Sequence, residues 1–328
     1  MGSKRQLSCF VTFSLCLLLA GCAGVGEMGK SGDAADQNVL GTTGNSIRGT
    51  VVSVPEPAEQ LTSGLAENGN GNFHPDGSRI IFQSNRDGKW QIYELNLTDM
   101  SELRLHESDF IEENPVWTSD GNSILFVSSP EGDDEWNRDI MMFTPELTDL
   151  KSVTNSPGDD WYPVIMNQDY FVFLSERDSN VDLPVHVRAN SVYLANLNGG
   201  TPTFLSGTSD DFKAPTVIND ENILVLNKDD QIVLYDLTTR ISQAVSPAEI
   251  VCGSSDFSNE KSWIVFTGSN ETGDLLYILD TKEGVYQEIN TGFVNLNNPR
   301  FSPDSKWLLF GAEVDGHFQL FRLSIASL

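Results

Sequence analysis

Six times along this chain a tight turn leads into a short apolar run. Phe73-His-Pro-Asp-Gly-Ser-Arg-Ile-Ile-Phe82 aligns without gaps with Trp117-Thr-Ser-Asp-Gly-Asn-Ser-Ile-Leu-Phe126, Phe257-Ser-Asn-Glu-Lys-Ser-Trp-Ile-Val-Phe266 and Phe301-Ser-Pro-Asp-Ser-Lys-Trp-Leu-Leu-Phe310. Two shorter copies, 165–173 and 217–225, keep turn residues at Asn167-Gln168-Asp169 and Asn219-Asp220. The units end at 82, 126, 173, 225, 266 and 310, so the period runs from 41 to 52 residues. A period of roughly 40–50 residues with several short strands per unit is the pattern of a β-propeller, whose blades cannot bury both faces alone and must stack in a ring. Each unit fits that plan: Asp, Asn, Ser and Gly favour the turn, an apolar strand leaves it, and a third strand follows at 91–95, 191–195, 231–235, 275–279 and 318–322. The expected fold is all-β, a six-bladed β-propeller over residues 57–328.

Phe301-Ser302-Pro303-Asp304 and Asn85-Arg86-Asp87-Gly88-Lys89-Trp90-Gln91-Ile92-Tyr93 resemble the repeat of TolB-type propellers. The resemblance implies a fold that binds partners rather than one that carries catalytic machinery. No segment matches the small α/β domain that precedes the propeller in TolB. The sixth unit reaches Leu328 directly after its third strand, while Glu59-Gln60-Leu61-Thr62 precedes the first unit. The N-terminal strand is therefore expected to complete the last blade, closing the ring and removing an exposed edge.

The first residues are of another kind. Lys4 and Arg5 precede an apolar run, 10–19, that ends at Leu19-Ala20-Gly21-Cys22. A basic start, a short apolar core and small residues at its end mark a secretory signal, and the run is shorter than the roughly 20 residues that span a bilayer. The tetrapeptide resembles the lipobox of bacterial lipoproteins, which implies cleavage before Cys22 and acylation of its thiol. Residues 1–21 are then a signal peptide and 22–56 a lipidated cysteine with a tether. By the sorting habit of such lipoproteins, Ala23 points to the outer membrane of the bacterial cell envelope. The tether is rich in Gly, Ser, Thr, Asn and Asp, a composition that buries too little to offset ordering entropy. As a coil of about 35 residues it would span roughly 30–35 Å. Within it, 47–54 is β-branched enough to offer a short strand.

With Cys9 and Cys16 in the signal and Cys22 acylated, Cys252 is left alone, which excludes a disulfide framework in an oxidising compartment. The whole chain carries 47 acidic against 20 basic residues, a net charge of −27. Such a field repels phosphate backbones and so excludes nucleic acid as a partner. The expected partners are an envelope protein or peptide, of basic character where it meets acidic groups, and the membrane through the lipid; the chain is expected to be a monomer. His74, His106, His186 and His317 are scattered without metal-ligand spacing, and no Gly-x-Ser-x-Gly elbow is present. No catalytic residue or cofactor is assigned. The alternative is a carbohydrate-binding or oligogalacturonate-lyase-like propeller, which would need several histidines converging on a metal.

Candidate binding residues come from the loops. The segments joining second to third strands are long in unit two (128–139) and unit three (175–190), and long loops on a rigid scaffold usually carry recognition. Unit two offers Asp133, Asp134, Trp136 and Arg138; unit three offers His186 and Arg188. An acid also precedes an aromatic at Asp109-Phe110, Asp160-Trp161 and Asp211-Phe212, each pair 51 residues from the next. At equivalent places in adjacent blades these carboxylates would ring one channel mouth and focus negative potential on a basic peptide or on a cation such as Ca2+. The competing reading is structural: aspartates capping loop amides and aromatics wedged between blades.

Overall fold

Each repeat folds because both faces of its second strand find a neighbour. In the computed structural model, which describes residues 48–53, 57–130, 137–147, 149–179, 183, 188–206, 210–270 and 273–328, the second strand of the first blade alternates its partners. Ile81 packs with Trp117 and Phe126 of the next blade, while Ile80 and Phe82 pack with Leu309 and Leu320 of the last one. Side chains two apart share a face, so a strand sandwiched between two blades reads as an unbroken apolar run. The repeat-final residues Phe82, Phe126, Phe173, Val225, Phe266 and Phe310 are all buried. Four of them stand opposite a third-strand aromatic: Phe82 with Tyr93, Phe173 with Tyr193, Phe266 with Tyr277 and Phe310 with Phe321. The core is thus a set of seams between blades.

Blade one comprises β3 (Asn68–Phe73), β4 (Arg79–Ser84), β5 (Gln91–Asn96) and β6 (Glu102–Arg104). Blade two has β7 (Ile111–Trp117), β8 (Ile124–Ser129), β9 (Asp139–Thr144) and β10 (Asp149–Ser152). Blade three has β11 (Asp160–Ile165), β12 (Tyr170–Ser175), β13 (Ser191–Asn196) and β14 (Thr203–Ser206). Blade four has β15 (Lys213–Val217), β16 (Asn222–Leu226), β17 (Ile232–Asp236) and β18 (Ser242–Ala244). Blade five has β19 (Val251–Ser258), β20 (Trp263–Asn270), β21 (Gly273–Asp280) and β22 (Val285–Asn290). Blade six has β23 (Asn297–Phe301), β24 (Trp307–Val314) and β25 (His317–Ser324). The first strands β3, β7, β11, β15, β19 and β23 contact one another in a closed ring.

The expected closure is present. β2 (Glu59–Gln60) pairs antiparallel with β25, Glu59 opposite Arg322 and Gln60 opposite Phe321. The seal continues as buried hydrogen bonds: Thr62 Oγ1 and Asn68 Nδ2 both donate to Gln319 Oε1 (3.0 and 2.9 Å), and Thr62 Oγ1 accepts from Leu320 N (2.9 Å). The β-branched segment inside the expected tether also forms a strand: β1 (Arg48–Ser53) runs parallel to β22 as a fifth strand of blade five. Cys22 and the signal segment lie outside the described residues.

The turn that opens each repeat is built by its side chains. Asp76 accepts the amide (2.8 Å) and the hydroxyl (2.6 Å) of Ser78, which lowers its pKa to about 2. Asp120 and Asp304 do the same work with Thr118 and Ser302. Gly121 has φ 72°, and a Cβ there would meet the His74 ring at 2.4 Å, so this glycine serves both the turn and the seam between blades one and two.

Candidate functional site

Every first strand carries a one-residue bulge at the same height. The register slips between Gly69 and Asn72, Glu113 and Val116, Trp161 and Val164, Lys213 and Thr216, Cys252 and Ser255, and Asn297 and Arg300. Five of the six bulges hold a non-glycine residue at positive φ: Asn70 (49°), Asn114 (52°), Tyr162 (55°), Ala214 (45°) and Asn298 (45°). Asparagine tolerates this region, whereas a bulky residue such as Tyr162 is strained there. A bulge re-aims a side chain, and a ring of six aims them at one another. Asn70 Nδ2 donates to Asn114 Oδ1 (2.6 Å) and Gln83 Oε1 (2.7 Å), Asn298 Nδ2 donates to Asn70 Oδ1, and Asn298 N donates to Ser254 Oγ (3.0 Å). This amide collar, with Tyr162 and Arg300, narrows the channel to a space of about 20 Å3, room for about one water.

Beyond the collar, towards the turns joining first to second strands, the channel widens to a cavity of about 260 Å3. Its walls are strand ends and prolines: Phe73, Trp117, Pro163, Pro215, Phe301 and Pro303. Asp256 and Arg300 bring the two charges to its lining. Arg300 Nη1 donates to Ser255 O and Pro299 O (both 3.0 Å). Burial works against the guanidinium's charge, but the Tyr162 and Asp256 oxygens beside it outweigh this and raise its pKa further. Burial pushes the Asp256 carboxyl up, tempered by Arg300 and by the Phe301 amide at 2.8 Å. The cavity thus holds one acid and one base inside a strongly acidic protein.

The expected rim of three acid–aromatic pairs is not formed from equivalent positions. Measured from the bulge residues Asn114, Tyr162 and Ala214, the three acids stand five, two and three residues upstream. The regular spacing of 51 residues is a coincidence of loop lengths. Asp109 is fully exposed near Lys89, and Phe110 is exposed beside it. Asp160 opens β11 and is buried; both its oxygens accept from Arg177 Nη2 (2.9 and 2.8 Å), and Ser175 Oγ donates to it at 2.6 Å. Trp161 is half-buried, donates from Nε1 to Asn190 Oδ1 (3.0 Å) and lies under the Arg138 guanidinium at 5.8 Å. Asp211 accepts from Asn190 N (3.3 Å), and Phe212 is buried against Tyr235. Asp160 and Phe212 therefore have structural partners, while Asp109 and Phe110 reach solvent.

The same geometry explains the Ser-x-Arg-Asp element of the repeat. In blade three, Arg177 Nε donates to Ser175 Oγ (2.7 Å), its guanidinium lies 4.6 Å from the Tyr193 ring, and Tyr193 OH donates to Asp178 (2.6 Å). Blade one repeats it with Ser84, Arg86, Tyr93 and Asp87, and there the arginine reaches Asn68, the residue equivalent to Asp160. The element locks the second, third and first strands of a blade together.

Of the loop candidates, Arg138 pairs with buried Asp159 (3.4 Å) and Arg188 with buried Glu176 (3.4 Å). Asp133, Asp134, Trp136 and His186 lie outside the described residues. Around these pairs burial pushes carboxyls up, Asp159 and Glu176 in direction and Asp139 to about 6. Nearby, Glu112 is buried 3.1 Å from His106 Nε2; burial pushes Glu112 up to about 7 and holds His106 below the ordinary imidazole range. Glu112 and Asp139 share the wall of a cavity of about 210 Å3 with Phe110, Phe126 and Met141.

The sign of the Glu112 effect is testable. An acid whose folded pKa lies above its unfolded one contributes stability below the unfolded value and loses it as pH rises through about 7. Relative to Glu112→Gln, the wild-type protein should therefore gain stability as pH falls from 7.5 to 5, by about 2 kcal/mol. Urea midpoints of the two proteins at both pH values measure this; parallel midpoints would show that Glu112 ionises normally.

The described histidines do not meet. His74 stands edge-on to Trp117, His106 lies against Phe126 and Phe143, and His317 pairs with Glu67. Among the described residues no three His, Cys, Asp or Glu are grouped to hold a metal. Buried Cys252 has its thiol pushed up by burial.

The channel residues Asn70, Asn114, Tyr162, Asp256, Asn298 and Arg300 were not singled out from the sequence. A signal existed: Asn114-Pro115, Tyr162-Pro163, Ala214-Pro215 and Asn298-Pro299 each stand three residues before an aligned repeat.

Residues 51–199 match the family model described as TolB beta propeller domain. Among solved structures, TolB from Acinetobacter baumannii aligns with a TM-score of 0.56 at 18% identity, over 69% of this chain and 55% of that one. The chain thus spans about half the length of that TolB. Oligogalacturonate lyase from Vibrio parahaemolyticus aligns with a TM-score of 0.52 at 14% identity, over 81% of this chain and 93% of that one. Acylaminoacyl peptidase from Pyrococcus horikoshii aligns with a TM-score of 0.56 at 17% identity, over 77% and 43%. At these identities the likenesses concern the fold. No curated protein sequence matches the chain.

Proposed function

We propose, from the premise that this chain is a TolB-like six-bladed β-propeller, that it is a non-enzymatic docking scaffold of the bacterial envelope. It is held by lipid on Cys22 and receives a segment of a protein partner in its channel. The carrying observation is the shape of that channel: a cavity of about 260 Å3 backed by a collar that leaves about 20 Å3. Pockets that enclose a whole small ligand run to about 300–1,000 Å3, so this one suits the tip of a segment whose remainder lies on the surrounding face. Its walls support the same reading. Prolines and aromatics offer rigid apolar contact, and backbone at strand ends offers hydrogen bonds. A lyase-like reading needs converging histidines, whereas His74 and His106 stand against different aromatics of the seam between blades one and two and His317 stands beside Glu67.

A photo-reactive residue at Pro303, exposed at the cavity wall, tests the reading against one at Lys228, exposed on the opposite face in the turn between β16 and β17. In intact envelopes the first should give a single protein adduct and the second none. No adduct at Pro303, or the same adducts at both, would remove the channel from the docking role; a glycan adduct would favour the carbohydrate reading.

A further inference from the structure

Arg300 is out of keeping with the other arginines. Among the arginines whose side chains the structure describes, every other one except exposed Arg240 forms an ion pair with a carboxylate, as expected where acids outnumber bases more than twofold. Arg300 forms none: Nη1 is held by two carbonyls, and Asp256 acts on it from beyond ion-pair distance. A guanidinium offers five N–H donors in a planar fork that matches a carboxylate; two are accounted for by Ser255 O and Pro299 O and a third by the Tyr162 hydroxyl, which leaves part of the fork for a ligand. Arg300 lines both the cavity and the neck, so it sits where one gives way to the other.

We infer that the channel cavity is a receptor for the free C-terminus of a peptide, its terminal carboxylate seated on Arg300. This rests on the docking reading and narrows it. A channel narrowed at Asn70, Asn114, Tyr162 and Arg300 to about 20 Å3, room for about one water, admits a chain end but does not thread a chain. Of the two chain ends, the C-terminus bears the charge that an arginine without a carboxylate can pair with. One negative charge suffices; a phosphate would bring up to two into a channel that already holds Asp256, inside a protein of net charge −27. The last side chain of the peptide then faces Phe73, Trp117 and Pro215, which favours an apolar terminal residue.

The test uses acetyl-Gly-Pro-Phe with a free C-terminus, its C-terminal amide, and an amidated analogue with an internal Asp, each titrated while the Arg300 side-chain 15N resonance is followed. The free acid should saturate the shift, the amide should bind roughly tenfold or more weakly, and Arg300→Lys, which keeps the charge but loses the fork, should lose the discrimination. Arg300→Gln, checked for folding by its melt, should lose binding of the acid. Equal binding of acid and amide, unchanged in Arg300→Lys, overturns the carboxylate assignment but leaves the docking reading standing on the Pro303 adduct. Equal binding of the internal-Asp analogue overturns the assignment to a chain end. Tighter, Arg300-dependent binding of trigalacturonate overturns the peptide in favour of an acidic sugar, and no binding by any probe overturns the inference.

Discussion

Asp160→Ala is expected to lower folding stability by about 3–4 kcal/mol, seen as a fall of about 1 M or more in the urea midpoint. Asp160 is buried and is the carboxylate partner of Arg177, whose side chain is four-fifths buried. Removing the acid leaves that guanidinium with Ser175 Oγ and the Tyr193 face alone, and an unpaired buried charge costs more than the pair contributed. Asp109→Asn is the comparison, since its side chain is fully exposed and its loss should leave the midpoint unchanged. Of the three acids that sequence spacing groups together, only Asp109 thus reports on partner binding without disturbing the blade. A wild-type midpoint for Asp160→Ala would mean that the Arg177 contact contributes nothing, and the rim assignment would regain Asp160.

The second large effect concerns closure. Gln319→Leu is expected to cost about 2–4 kcal/mol, because the buried Thr62 hydroxyl and Asn68 amide lose their shared acceptor and Ala66 O loses its 2.9 Å donor. Removing residues up to 62 goes further. It strips β2 from β25 and β1 from β22, exposing the edges of blades six and five, so the truncated chain should self-associate more than the intact one. Sedimentation of the two at matched concentration checks this, and a monomeric, equally stable truncation would show that the ring holds without its N-terminal strand.

Much of the architecture was legible in the residues themselves. Repeated turns and apolar runs at a steady period gave six blades, because a strand buried on both faces must read apolar throughout and a Pro/Ser-Asp-Gly turn works through its own side chains. The closing strand was legible for a related reason: blade six lacked a fourth strand, and 59–62 supplied one. The channel was harder to see. A bulge costs one residue and leaves no hydrophobic signature, so its only mark was the step of X-Pro pairs three residues before the repeats. The acid–aromatic pairs show the converse. They were conspicuous in sequence, yet loop lengths differ between blades, and a constant spacing of 51 placed the acids at three different heights.

The six repeats, the turn chemistry and the closed ring follow from local pattern and from the need to bury both faces of a blade. Which acids have partners, which arginines have no carboxylate and where the channel narrows emerge only from the assembled ring. Those properties depend on residues as distant in sequence as Asn70 and Asn298 meeting where the last blade joins the first, and no local pattern encodes that meeting.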